Sequence, residues 1–231
     1  MRSRRLIALC IFLGIVIFGS LIWRNSLSRR QQSEHPALTI DKRAVAFENH
    51  TFDPNSPPVD MPTLAYGEEA VCDSNFSSNT SVGGESQKTD TTHATVTITK
   101  VKMILQLSIH IWVPTGVTQH VVEHEDGHRK ISEYFYETAD KLAEQTAATY
   151  MGKQIDINGT DLDAQFEKAL HQTATDITNE YDKDLSFAAT QQYYDVITDH
   201  GRNESDVKEA VAAAVENTKI VSIQAPTKTV K

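Results

Sequence analysis

The sequence predicts an α+β fold, with a small antiparallel sheet packed on one long helix and further helices towards the C-terminus. Three observations predict it. Apolar and polar residues alternate from Met103 to Ile111, which is the period of a strand with one buried face. From Thr118 the period changes to 3.6, placing Val121, Val122, Ile131, Phe135, Leu142 and Ala143 along one side of a helix about 30 residues long. A second helical pattern then carries Leu162, Phe166, Leu170, Thr173 and Ile177.

In chain order, Arg2, Arg4 and Arg5 precede an uncharged run of 18 apolar or small residues, Leu6 to Trp23. That is a basic stretch followed by a span just long enough for a bilayer. No small-x-small cleavage site closes the run, so residues 1–30 are expected to form an uncleaved signal-anchor. Secretion after cleavage is the alternative. Arg24, Arg29 and Arg30 balance the arginines before the run, so charge does not set orientation. The usual outcome for such a terminus is a domain in the periplasm or another extracytoplasmic space.

Residues 31–64 carry Pro36, Pro54, Pro57, Pro58 and Pro62 and read as an extended tether. The Ser/Asn-rich stretch Asp73 to Thr92 reads as a loop or weak hairpin. Thr92 to Thr99 reads as a partner for the Met103–Ile111 strand. After the long helix, Gly152 is a stop and Asn158-Gly159 a turn. The second helical pattern can continue through Leu185 to Ile197, with Gly201 as the residue just past its end. A short Ala-rich helix runs from Ser205 to about Glu216, so the folded domain is placed at 65–220 with a polar tail at 221–231.

A net charge of −9 and a pI near 5.4 argue against nucleic acid as a partner, because phosphate binding needs clustered Lys and Arg. The two cysteines are Cys10, inside the apolar run, and Cys72, so no internal disulfide framework exists.

The chemistry is concentrated in His124-Glu125-Asp126-Gly127-His128. On a helix the i and i+4 side chains share a face, so both imidazoles can reach one metal ion, most often Zn2+. Glu125 can then act as general base on a metal-activated water. Gly127 costs the helix roughly 1 kcal/mol relative to Ala, which makes sense if something must approach closely there. A sheet whose edge strand binds an extended peptide, followed by a short loop and the motif helix, is the plan of a zincin-like peptidase. The Met103–Ile111 strand is the candidate edge.

A catalytic zinc needs three protein ligands and an open position, and several residues compete for third place. Glu133 and Glu137 lie on the motif helix but point away. His120 shares the face of His124, yet three ligands strung over two turns span too far for one ion, so it reads as a helix-start residue or a substrate contact. His171 reads as a surface residue and His110 as exposed on its strand. His200 ends a helix beside glycine and can enter from a second element, with Tyr194, Asp195 and Asp199 as neighbours that can supply an acceptor or a hydroxyl. By spacing alone His200 reads first as a helix cap.

Glu123-His124-Glu125-Asp126-Gly127-His128 followed by Tyr194-Asp195-x-x-Thr198-x-His200-Gly201 resembles a bacterial family of predicted secreted zinc-dependent proteases. The likeness spans about Thr92 to Gly201. It implies His124, His128 and His200 as metal ligands and Glu125 as the base. Peptide or protein substrates follow from that reading, with Tyr194 or Tyr193 as the donor to the tetrahedral oxyanion. The alternative is a non-catalytic binding or scaffold domain with a structural metal or none, which a closed four-ligand site would mark.

Overall fold

The computed structural model describes residues 37–64, 67–185 and 187–224. Strands β1 (Ala37–Lys42), β2 (Ala46–Phe52), β3 (Val71–Lys88) and β4 (His93–Pro114) are followed by helices α1 (Gln119–Glu137) and α2 (Ala139–Ala148). Then come β5 (Gln154–Asn158), α3 (Leu162–Asp184), α4 (Ala188–Thr198) and α5 (Val207–Gln224). The architecture is mixed: a five-stranded sheet with helices on one face.

The 22-residue β4 is the spine of the sheet. Along one flank runs β3, antiparallel, from Val71 opposite Trp112 to Lys88 opposite Ala94. Along the other flank three short strands lie end to end. β5 pairs antiparallel with His93–Thr97, β1 parallel with Lys100–Leu105, and β2 parallel with Ser108–Pro114. The sheet is therefore mixed, not antiparallel as expected. The parallel pairs arise because β3 intervenes in the chain between β2 and β4, supplying the long connection that parallel strands need.

Other expectations change with it. The supposed tether contributes β1 and β2, so the folded domain includes these residues and does not begin at 65. The Ser/Asn-rich stretch is the strand β3. Thr92–Thr99 and Met103–Ile111 are not partners but the two ends of β4. The continuity is masked because the register slips by one at β4, Gly83 facing Lys100 and Gly84 facing Ile98. A one-residue bulge flips the phase of alternation, so the buried set changes from Val96 and Ile98 to Val101, Met103, Leu105, Leu107 and Ile109 while remaining on one face. Being paired on both sides, β4 offers no free edge.

That face packs on Tyr136, Ala139, Ala143, Ala147, Ile177 and Tyr181 from α1, α2 and α3. The single long helix expected from Thr118 breaks at Thr138 (φ −104°, ψ 6°). Lys42, at the end of β1, holds the break: its Nζ donates to the carbonyls of Tyr136 (3.2 Å) and Glu137 (2.7 Å) and pairs with Asp140 at 2.9 Å. These are carbonyls that a helix end leaves without partners. The second long pattern likewise splits into α3 and α4. A smaller core of Ile131, Tyr194, Ala210 and Ala214 joins α1, α4 and α5. The expected anchor lies outside the described residues, among which no helix is long and apolar enough to cross a membrane.

Candidate metal centre

Helix α1 carries His124 and His128 one turn apart, and their Nε2 atoms stand 3.3 Å from each other. Helix α4 brings a third donor. Asp195 Oδ1 lies 2.9 Å from His128 Nε2 and 3.5 Å from His124 Nε2. Tetrahedral ligands ~2.1 Å from a zinc ion stand about 3.4 Å apart, so these three edges match one face of such a shell. His200 reaches the same cavity but not the triangle. Its Nδ1 is 4.0 Å from Asp195 Oδ1 and 4.0 Å from Glu68 Oε1. The structure thus brings together Asp195 with the two motif histidines, where the family resemblance implies His200.

The tautomer of His128 follows from its partners. Gln191, one turn before Asp195, donates its Nε2 to the carbonyl of His128 (3.1 Å) and to Ser132 Oγ (3.0 Å). A carbonyl only accepts, so the Gln191 amide oxygen must face His128 Nδ1, 2.6 Å away. Nδ1 therefore carries the proton, which leaves Nε2 to meet the Asp195 carboxylate: as a lone pair where a metal ion joins the two, or as a second N–H donating to it in the metal-free protein. The donor set, two imidazole nitrogens and one carboxylate, suits zinc.

Without a metal, the electrostatics favour the second of these states. Burial opposes ionisation of Asp195, but its hydrogen bonds to His124 and His128 outweigh burial and hold the carboxyl well below the usual carboxylate range. Burial likewise opposes charge on His128, yet Asp195 raises its pKa. Burial lowers that of His124, with Asp195 only partly offsetting it. Glu125 is 5 % exposed, and burial pushes its carboxyl up to about 7 against the pull of His128 and of a hydrogen bond from the Cys72 backbone. A carboxylate near neutrality is suited to accept a proton at working pH.

The back of the site is closed by Tyr194. Its ring stacks on His124 (centroids 5.0 Å, 12°) and its hydroxyl donates to the carbonyl of His124 at 3.2 Å. That hydroxyl occupies the space above Gly127, where a Cβ would come within 2.0 Å of it. This is the close approach that Gly127 permits, made by a side chain of α4. Tyr194 is fully buried, with its hydroxyl committed to a helix carbonyl, so it positions His124 and is not placed to meet a substrate. Tyr193 packs on the α1–α5 core. Neither tyrosine lines the cavity, where an oxyanion donor as suggested by the sequence would have to stand.

After Thr198 the chain reverses through three consecutive left-handed residues, Asp199 (φ 48°), His200 (φ 54°) and Gly201 (φ 74°). Helix α4 thus ends on Asp199, two residues before the glycine that was expected to stop it. Gly201 also lacks a Cβ where one would lie 2.8 Å from the His124 ring. Two non-glycine residues in this region cost energy, on the order of 1 kcal/mol each, and the turn they make lays His200 and Gly201 against the site.

In front lies a cavity of about 580 Å³ lined by His124, Glu125, His128, Asp195, His200 and the 67–74 segment. His120 also faces it, with a buried Nε2 that has no hydrogen-bond partner. Cys72 lines the wall, but burial pushes its thiol up to about 12, which makes it an inert packing residue. His171 is exposed on α3, as expected. Sequence reasoning missed Gln191 altogether and gave Asp195 only a supporting role. The signal was their i, i+4 spacing with the same one-turn period as the two histidines. Comparison with protein-family models, curated proteins and solved structures finds no match for this chain.

Proposed function

We propose that this protein is a zinc-dependent hydrolase of peptide bonds, acting outside the cytoplasm and held to the membrane by residues 6–23. The observation that carries the reading is the triangle of His124 Nε2, His128 Nε2 and Asp195 Oδ1 beside a buried carboxylate on the same helix. Its likeness in motif to secreted zinc proteases adds support.

In this reading His124, His128 and Asp195 hold the metal, which supplies Lewis-acid polarisation and a more acidic water. Glu125 takes the proton of the attacking water and returns it to the leaving amine. Gln191 fixes the tautomer and orientation of His128, the usual task of an outer hydrogen bond at a metal site. Tyr194 sets the ring plane of His124. His120, a cavity-lining imidazole whose buried Nε2 has no partner, is the residue assigned to the developing oxyanion. The start of β3, Val71–Ser74, lines the cavity with one flank paired to β4. Its other flank has no strand partner among the described residues, so an extended peptide can add along it.

Glu125→Gln tests the proposal. The variant should bind zinc with unchanged stoichiometry and lose peptide cleavage by about 10³-fold, read with a fluorogenic peptide library. A variant that retains full turnover would sink the mechanism.

A further inference from the structure

The geometry points to a second metal site, on the opposite face of the sheet, formed by Glu48, His50 and His110. Strand β2 runs parallel to β4 with Glu48 in register with His110 and His50 with Trp112. In a strand, residues two apart share a face, so Glu48 and His50 stand side by side against His110 and Trp112. Ile109 and Ile111 point the other way, into the core beneath the helices.

The donor atoms converge. His50 Nε2 is 3.2 Å from His110 Nδ1 and 3.5 Å from Glu48 Oε2, while His110 Nδ1 is 3.8 Å from that same oxygen. These edges bracket the ~3.4 Å separation of tetrahedral zinc ligands. The His50 ring is held in place by stacking on the Trp112 indole, centroids 4.0 Å apart and 17° from parallel. Two imidazoles and a carboxylate select a divalent late-transition-metal ion such as zinc or copper over magnesium or calcium, which prefer all-oxygen shells.

An ion there would pin β2 to β4 at the end where both strands lead towards the cavity. After Phe52 the chain enters the proline-rich segment 53–64, and after Pro114 it enters the 115–118 link to α1. These two segments face each other across a second cavity of about 730 Å³, which shares Glu68 and Glu69 with the first. The neighbouring carboxylate here, Asp73 of β3 in register with His110, is exposed where Glu125 is buried, so the role assigned to this ion is structural.

The test uses the full chain carrying His124→Ala, His128→Ala and Trp23→Phe, which removes the buried pair and leaves Trp112 as the sole indole. Cu2+ is titrated while Trp112 fluorescence is followed. The expected result is quenching that saturates at one equivalent, is lost with His50→Ala, and needs at least tenfold more Cu2+ with Glu48→Gln. Glu48 is exposed and the Glu48→Gln variant leaves the His50–Trp112 stack intact, so its effect reads ligation and not folding. Unsaturable quenching, saturation that survives His50→Ala, or an affinity unchanged by Glu48→Gln would each overturn the site.

Discussion

The chain carries two clusters of two histidines and one carboxylate, and they differ most in what surrounds them. In the first, the side chains of His124, His128 and Asp195 are 6, 14 and 22 % exposed. In the second, those of His50, His110 and Glu48 are 27, 35 and 63 % exposed. The buried cluster has a hydrogen-bonded second layer in Gln191, a packed ring in Tyr194, and an adjacent carboxyl lifted towards neutrality. The exposed cluster has an aromatic support, and its neighbouring carboxylate, Asp73 in register with His110, is exposed to solvent. On the proposals above, near-identical donor sets would serve different ends: low dielectric would suit one to chemistry, while solvent would leave the other a clamp.

Breaking the first cluster should have the largest effects. Asp195→Ala should abolish cleavage and weaken zinc binding at that site by at least about 100-fold, checked by competition with a fluorescent chelator. His200→Ala should reduce turnover with a smaller loss of zinc affinity. Zinc retained in Asp195→Ala but lost in His200→Ala would restore His200 to the ligand set and demote Asp195.

Gly127→Ala comes next. The new methyl meets the Tyr194 hydroxyl within 2.0 Å, and neither α1 nor α4 can move without disturbing the Ile131–Ala214 core. A cost of about 2–3 kcal/mol in thermal unfolding is expected, with loss of zinc. An unchanged melting temperature would mean that the two helices are free to part.

A pH experiment separates stability from function. Glu125 has a folded pKa of about 7, above its ordinary 4.5. Its contribution to stability is therefore fully present below pH 4.5 and is lost as pH rises through 7. Glu125→Gln should leave the chelator-treated protein unchanged at pH 4 and stabilise it by roughly 2–3 kcal/mol at pH 8. Denaturant unfolding at the two pH values checks this, and equal effects at both would refute it.

The smallest effects sharpen the contrast from the other side. Gln191→Leu should lower zinc affinity at the buried cluster by about 10–100-fold without changing the exposed one. His50→Ala should do the converse and leave peptide cleavage unchanged.

Much of the buried site was legible because it is local. His124, Glu125 and His128 share one helix, and spacing alone places them. The third position was not, because Asp195 and His200 are neighbours on one turn, and only the angle at which α4 meets α1 decides between them. Tyr194 offered a hydroxyl in the sequence, but its partner, the carbonyl of His124, becomes visible only when Gly127 is seen beneath it. The sheet was harder still. β3 is a polar strand whose pairing is written in β4, and β1 and β2 are short segments among prolines that become strands only because β4 has a flank to cover. The exposed cluster escaped for the same reason: Glu48 and His110 are 62 residues apart in the chain and adjacent only through the register of β2.

The position of β4 has a kinetic consequence. Its hairpin partner β3 is close in sequence and can form early, whereas β1 and β2 must return across some sixty residues to close the other flank. High-separation pairing of this kind slows folding, and until it is complete β4 presents a long apolar row of unpaired amides and carbonyls, a template for association with other chains. β1 and β2 act in that sense as a built-in safety strip. Synthesis from the N-terminus makes them available before their partner, ready to cover β4 as it emerges.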